Sequence, residues 1–152
     1  MSDIREIDRQ ALRNAIGGMC FASAGLAEGT NANTIKTTVA TTFNIAGRLY
    51  AKAITDNIAM TALAVQPVLT ACMYLILIDS SGAVSLVKGT AVASGASAYL
   101  PANPSPTTKA VIGAMKVVLA VAATFTSGTT DLSATNVTAT FYNLSHAVPD
   151  AF

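Results

Sequence analysis

Formal charge is scarce in this chain. Only 11% of the 152 residues are Asp, Glu, Lys or Arg, less than half of the roughly 25% found in ordinary globular proteins. The hydrophobic fraction is 52%, and a chain that apolar and that poor in charge is not disordered, because disorder needs the opposite balance. Nine basic residues against eight acidic ones leave a net charge of +1, so nothing is built to track a nucleic-acid backbone. Only two cysteines are present, Cys20 and Cys72, far apart and outside any CxxC pattern. They fit neither a disulfide-rich scaffold nor a zinc site. His146 is the sole histidine, close to the carboxyl end, where a rigid catalytic base is poorly held.

Other chemistry is missing too. There is no HxxH, no HExxH, no Asp-rich calcium loop and no Walker lysine after Gly17-Gly18, so no metal or other cofactor is expected. Asp56, Asp79 and Asp131 fall in or beside turn sequences, where a carboxylate ordinarily bonds its own backbone. The chain does not read as an enzyme.

The charges that exist are unevenly placed. Asp3, Arg5, Glu6, Asp8, Arg9 and Arg13 supply six of the 17 within the first 13 residues. The remainder must cover itself with Thr, Ser, Asn and Ala or bury surface against neighbours; Ala and Thr together make up 48 residues. Small side chains on flat β surfaces and close subunit packing suit that composition, and an assembly is favoured over a lone monomer.

Residues Ile58 to Ile78 form a run without formal charge that is long enough to span a bilayer. Gln66-Pro67 near its centre reads as a turn between strands, Thr61 and Thr70 dilute it, and its flanks are Asp56 and Asp79 with no basic cluster. No membrane association is expected. Arg5 to Arg13 is charged where the apolar core of a signal peptide would lie, so secretion by that route is not expected either.

At the amino end Ser2 can cap a helix, with Asp3 and Glu6 in its first turn. Ile4, Ile7, Ala11, Leu12, Ala15, Ile16 and Met19 follow a 3.6-residue period, with Arg9 and Arg13 opposite. Gly17-Gly18 weakens this helix, which stops there or continues to Leu26. Residues 1–28 are thus expected to be a helical arm, packed on its own domain or docked on a partner.

After Gly29 the period becomes 2. From Ile35 to Ala53 the odd positions are apolar, with a bend or hairpin expected at Asn44–Gly47. Cys72 to Ile78 reads as a strand covered on both faces, paired through an Asp79–Gly82 turn with a strand over Ala83 to Ala93. Ser94 to Thr108 is a Gly/Ser/Pro-rich connection. Ala110 to Ala122 has Val111, Met115, Val117, Leu119 and Val121 on one face, and Val137 to Leu144 is the last strand. Six to eight strands without a second helix indicate a mainly β protein: one antiparallel β-sandwich or jelly-roll-like domain over residues 29–152, preceded by an N-terminal α-helix.

The stretch Thr42-Phe-Asn-Ile-Ala-Gly-Arg-Leu-Tyr-Ala-Lys-Ala53, the Gln66-Pro67 step and the Tyr74 to Gly82 hairpin resemble small virion proteins of tailed bacteriophages. So do Val111-Ile-Gly113, Phe125 to Leu132 and Val137-Thr-Ala-Thr-Phe-Tyr142. These are proteins of the capsid decoration (cement) or head-fibre type. The resemblance implies non-enzymatic binding to the outside of an icosahedral capsid. The partners it implies are a major capsid protein or other virion proteins and further copies of the chain, commonly as a homotrimer, at the capsid surface of the virion. Residues offered for partner contact are Ile4, Ile7, Arg9 and Arg13 on the helix and Tyr99 and Leu100 in the 94–108 connection. The competing readings are another virion component, such as a head or tail fibre or receptor-binding module, and a bacterial surface or adhesion subunit. Deleting residues 1–28 is expected to leave a folded β body.

Overall fold

A computed structural model describes residues 18–144, and within them the chain is mainly β, with no helix among the described residues. The strands are β1 (Met19–Cys20), β2 (Leu26–Glu28), β3 (Thr34–Thr37), β4 (Thr41–Ile45), β5 (Arg48–Lys52) and β6 (Thr55–Ala59). They continue with β7 (Thr70–Asp79), β8 (Val84–Lys88), β9 (Val92–Ala93), β10 (Lys109–Leu119) and β11 (Val137–Asn143). One mixed sheet runs β5-β4-β1-β10-β7-β8, with β11 on β10 and β9 on β7; a second, antiparallel sheet runs β2-β3-β6. Leu26 and Ile35 of the small sheet share a buried cluster with Phe43, Tyr74, Ile76, Ile112 and Met115 of the large one. The two sheets therefore close on a single core.

Four expectations are corrected. The helix does not continue to Leu26: residues 1–17 lie outside the described residues, and from Gly18 the chain is extended. Gly18 explains why. A Cβ there would meet the Lys109 carbonyl and lie 2.6 Å from the Cα of Ala110, so only glycine lets the chain come this close to β10. Residues 18–28, assigned to the arm, belong to the β structure, because β1 pairs with β4 and β10 and β2 pairs with β3. The sheets are not all antiparallel, since β1 runs parallel to β10 at Met19↔Val111. The expected 83–93 strand is two, β8 and β9, parted at Gly89 to Ala91 where Gly89 N donates to the Met73 carbonyl.

The expected alternation fails at two places, each for a local reason. Across the two-residue turn Ala46-Gly47, both with positive φ, Phe43 pairs with Tyr50. Odd residues of β4 thus share a face with even residues of β5. Tyr50 stacks on Phe43 at 5.7 Å, and Leu49 points outward, 72% exposed. In β10 the register shifts between Val111 and Gly113. This bulge makes Ala110 and Ile112 face the core before it and Met115, Val117 and Leu119 after it.

Strand β7 is buried from Ala71 to Ile78, as its unbroken apolar run requires. Ala71 pairs with Val92 of β9 on one edge and with Val118 of β10 on the other. The 94–108 connection leaves one edge of β7 and enters the other, so it has to cross that strand. It is pinned where the Tyr99 carbonyl and the Pro101 ring pack against Gly89, and Asn103 Nδ2 donates to the Lys109 carbonyl at 3.0 Å.

Candidate interaction surface

At the end of the molecule where β7 begins and β10 stops, three connections meet: residues 60–69, 89–101 and 120–136. Gln66 anchors the first. It has no exposed surface, and its Nε2 donates to the carbonyls of Thr70 (3.1 Å) and Val117 (3.0 Å) while its Oε1 accepts from the Tyr74 hydroxyl at 3.0 Å. Its backbone exchanges two hydrogen bonds with Phe125, and the Phe125 ring packs edge-on against Tyr74. Sequence reading takes Gln66-Pro67 for a turn between strands, and the chain does turn at Val68-Leu69 directly before β7; the Gln66 amide is in addition the peg that joins β7, β10 and the 120–136 segment. Burial pushes the Tyr74 hydroxyl well above its ordinary range, with Cys72 beside it adding to the effect.

The second connection is held by Lys88, whose ammonium donates to the carbonyls of Ala64 (2.8 Å) and Val65 (2.9 Å). Ser94 N donates to the Leu69 carbonyl at 2.9 Å. Lys88, Gly89, Thr90, Val92, Tyr99, Leu100 and Pro101 line a cleft of about 310 Å³. Of the residues expected to touch a partner, Tyr99 and Leu100 are therefore together on the lip of this cleft, Tyr99 being 76% exposed. Ile4, Ile7, Arg9 and Arg13 lie outside the described residues.

Beside the cleft, Val65, Val68, Leu69 and Val121 also project into solvent. Sequence reading missed them as contact residues, although part of the signal was there. Val65, Val68 and Leu69 belong to the charge-free run from Ile58 to Ile78, whose length matches a bilayer span and whose Gln66-Pro67 step reads as a turn between strands. The run divides into the end of β6, a connection and the start of β7, and no helix among the described residues is long and apolar enough to cross a membrane.

Elsewhere the polar groups serve the fold. Asp79 Oδ1 accepts from Ser81 N, Ser81 Oγ and Ala83 N, and these bonds, the Ser81 hydroxyl foremost, hold its carboxyl below the ordinary value of 3.8. Asp56 is lowered likewise, chiefly by the Thr30 hydroxyl and amide. Both cysteines are buried free thiols: Cys20 lies 2.7 Å from Thr41 Oγ1, and burial pushes the Cys72 thiol up. Among the described residues no three His, Cys, Asp or Glu side chains gather as a metal site would require.

Among the described residues this end of the molecule is an apolar pole, poor in charge, with a shallow cleft and an exposed tyrosine on its lip, a surface suited to binding. No family model matches the chain, and no curated protein or solved structure matches it either.

Proposed function

We propose that this chain is a non-enzymatic structural protein of a virion, which binds the outside of an icosahedral phage capsid and stabilises it. The observation that carries this reading is the apolar pole around Tyr99, Leu100, Val65, Leu69 and Val121, displayed on a sandwich-like two-sheet body with few charges. Permanent protein interfaces are depleted in charge and centred on apolar and aromatic side chains. The sequence resemblance to decoration and head-fibre proteins supplies the setting. A protein that binds the assembled shell and not its free subunits stabilises the shell by mass action.

Two measurements test it. Light scattering on the purified chain should give a homotrimer of about 46 kDa, three times the chain mass of 15.5 kDa. Adding the protein to undecorated capsids of the same virus should yield saturable binding and raise the temperature at which the capsids open. Capsids that neither bind it nor gain heat resistance would sink the decoration reading.

The exposed Tyr99 beside a cleft favours one further reading, a fibre-type receptor-binding or adhesion module, because aromatic side chains on loops are what such tips present. Glycan or host-cell binding that Tyr99→Ala abolishes, with capsid binding absent, would select it.

A further inference from the structure

We infer that the Val68-Leu69 turn, together with Val65 and Val121, is the surface on which one copy of this chain meets a second. The inference rests on the self-association in the reading above and names its location. It starts from backbone strain. Leu69 has φ of +56° and Ala122 has φ of +66°, left-handed conformations that a leucine above all adopts at a cost. No glycine or asparagine relieves either position. Leu69 is nonetheless 50% exposed and Val121, next to Ala122, is 67% exposed. The chain therefore spends backbone strain to hold apolar side chains in water, and strain of this kind is kept where a site requires it.

Charge identifies the occupant. Residues 57–78, 89–101 and 117–130, which carry the exposed apolar side chains of the pole, contain no Asp, Glu, Lys or Arg; Asp131 follows in the third connection. The nearby ammonium of Lys88 is turned onto the carbonyls of Ala64 and Val65. A partner with a charged surface would lose its hydration here and gain no opposite charge in return. The same pole on a second copy brings no charge to desolvate, and its apolar side chains match those it meets. Closed rotational symmetry then gives every copy the same contact.

The test uses the full chain and the variants Leu69→Gly and Val121→Lys. Glycine accepts the left-handed backbone at position 69, so Leu69→Gly removes the side chain without adding strain and should keep a cooperative thermal melt. Its oligomer should dissociate at concentrations at least about tenfold higher than those at which the wild type does, as expected for loss of a central apolar contact. Val121→Lys, at an exposed position, should do the same by placing a charge in the interface. A wild-type oligomer whose mass and dissociation are unchanged by both substitutions overturns this surface and leaves self-association standing. A wild-type chain that stays monomeric across the concentration range overturns both. Capsid binding, measured separately, reports on the decoration reading in either case.

Discussion

Gln66 is an uncharged polar side chain sealed inside an apolar core, and its three side-chain bonds are the reason it is tolerated there. Tyr74→Phe removes only a hydroxyl, yet it leaves Gln66 Oε1 buried without a donor. The expected loss is about 1–3 kcal/mol, read as a lower urea midpoint with an unchanged slope. The wild-type Tyr74 hydroxyl should not ionise in a spectrophotometric titration of the folded protein at the pH of ordinary tyrosines, because burial raises it. Asp79 behaves differently, since it lies near the surface and its carboxyl is stabilised in the charged form. A carboxyl whose folded value is lowered contributes stability above its unfolded value, and that contribution is lost as pH falls through the folded value. Asp79→Asn should therefore cost less than about 1 kcal/mol at neutral pH, a small effect because the site is well solvated. The difference from wild type should shrink below pH 3.8, the ordinary value, and vanish once the folded carboxyl is protonated. Denaturation at a series of pH values checks this.

Strand β10 is the spine of the large sheet, and Gly113 lies at its bulge. A Cβ there would meet the Leu26 side chain and sit 2.6 Å from the Tyr142 carbonyl. Leu26 of β2 packs onto the bare backbone of β10, while its own amide donates to Asn143 Oδ1 of β11 at 2.7 Å. Gly113→Ala should accordingly push β2 away and destabilise the protein by about 1–3 kcal/mol, the usual cost of overpacking. The β4–β5 hairpin offers the reverse case. Its turn holds Ala46 at φ of +49° before Gly47 at +82°, the two-residue geometry that prefers Asn-Gly. Ala46→Asn should raise stability by about 0.5–1 kcal/mol, measurable as an increase in melting temperature. Both elements also mark how far sequence reading reaches. Strand β7 declared itself, because eight successive buried residues leave no polar face to misread. The Asp79–Gly82 turn and the 94–108 connection did so through their Gly, Ser and Pro content. The outward face of β5 did not, because one two-residue turn reverses parity and no property of Leu49 itself records that. The bulge in β10 was equally silent, since Val111 and Ile112 are both β-branched apolar residues and nothing in their sequence says which of them faces the core. Of the candidate surface, Tyr99 and Leu100 stood out as apolar residues in a loop. Val65, Val68, Leu69 and Val121 acquire meaning only when folding brings three distant connections to one pole.

Taken whole, the molecule depends on a short piece of chain near its beginning. Strand β1 has two residues, yet it lies between β4 and β10 and is what joins the β4–β5 hairpin to the rest of the large sheet. Cys20, Ala24 and Leu26 are buried in the common core, Thr41 Oγ1 donates to the Ala22 carbonyl, and Thr38 N is held by the Ala24 and Gly25 carbonyls. Removing residues 1–28 thus deletes a connecting strand, an edge of the small sheet and three core side chains. Loss of one buried leucine alone costs about 2–5 kcal/mol, and the whole stability of a domain is about 5–15 kcal/mol. The expectation that a 29–152 fragment folds is therefore replaced by two outcomes. A chain lacking residues 1–28 should show no cooperative thermal transition. A chain lacking only residues 1–17 keeps Gly18 against β10 and every described strand, and should melt cooperatively with a β-type far-ultraviolet spectrum. That second fragment is the one with which to ask whether Ile4, Ile7, Arg9 and Arg13 matter to a partner. If it binds undecorated capsids as the full chain does, those four residues are dispensable and the contact belongs to the β body. If it folds, keeps its oligomeric mass and no longer binds, the amino-terminal residues carry the attachment and the apolar pole serves assembly alone.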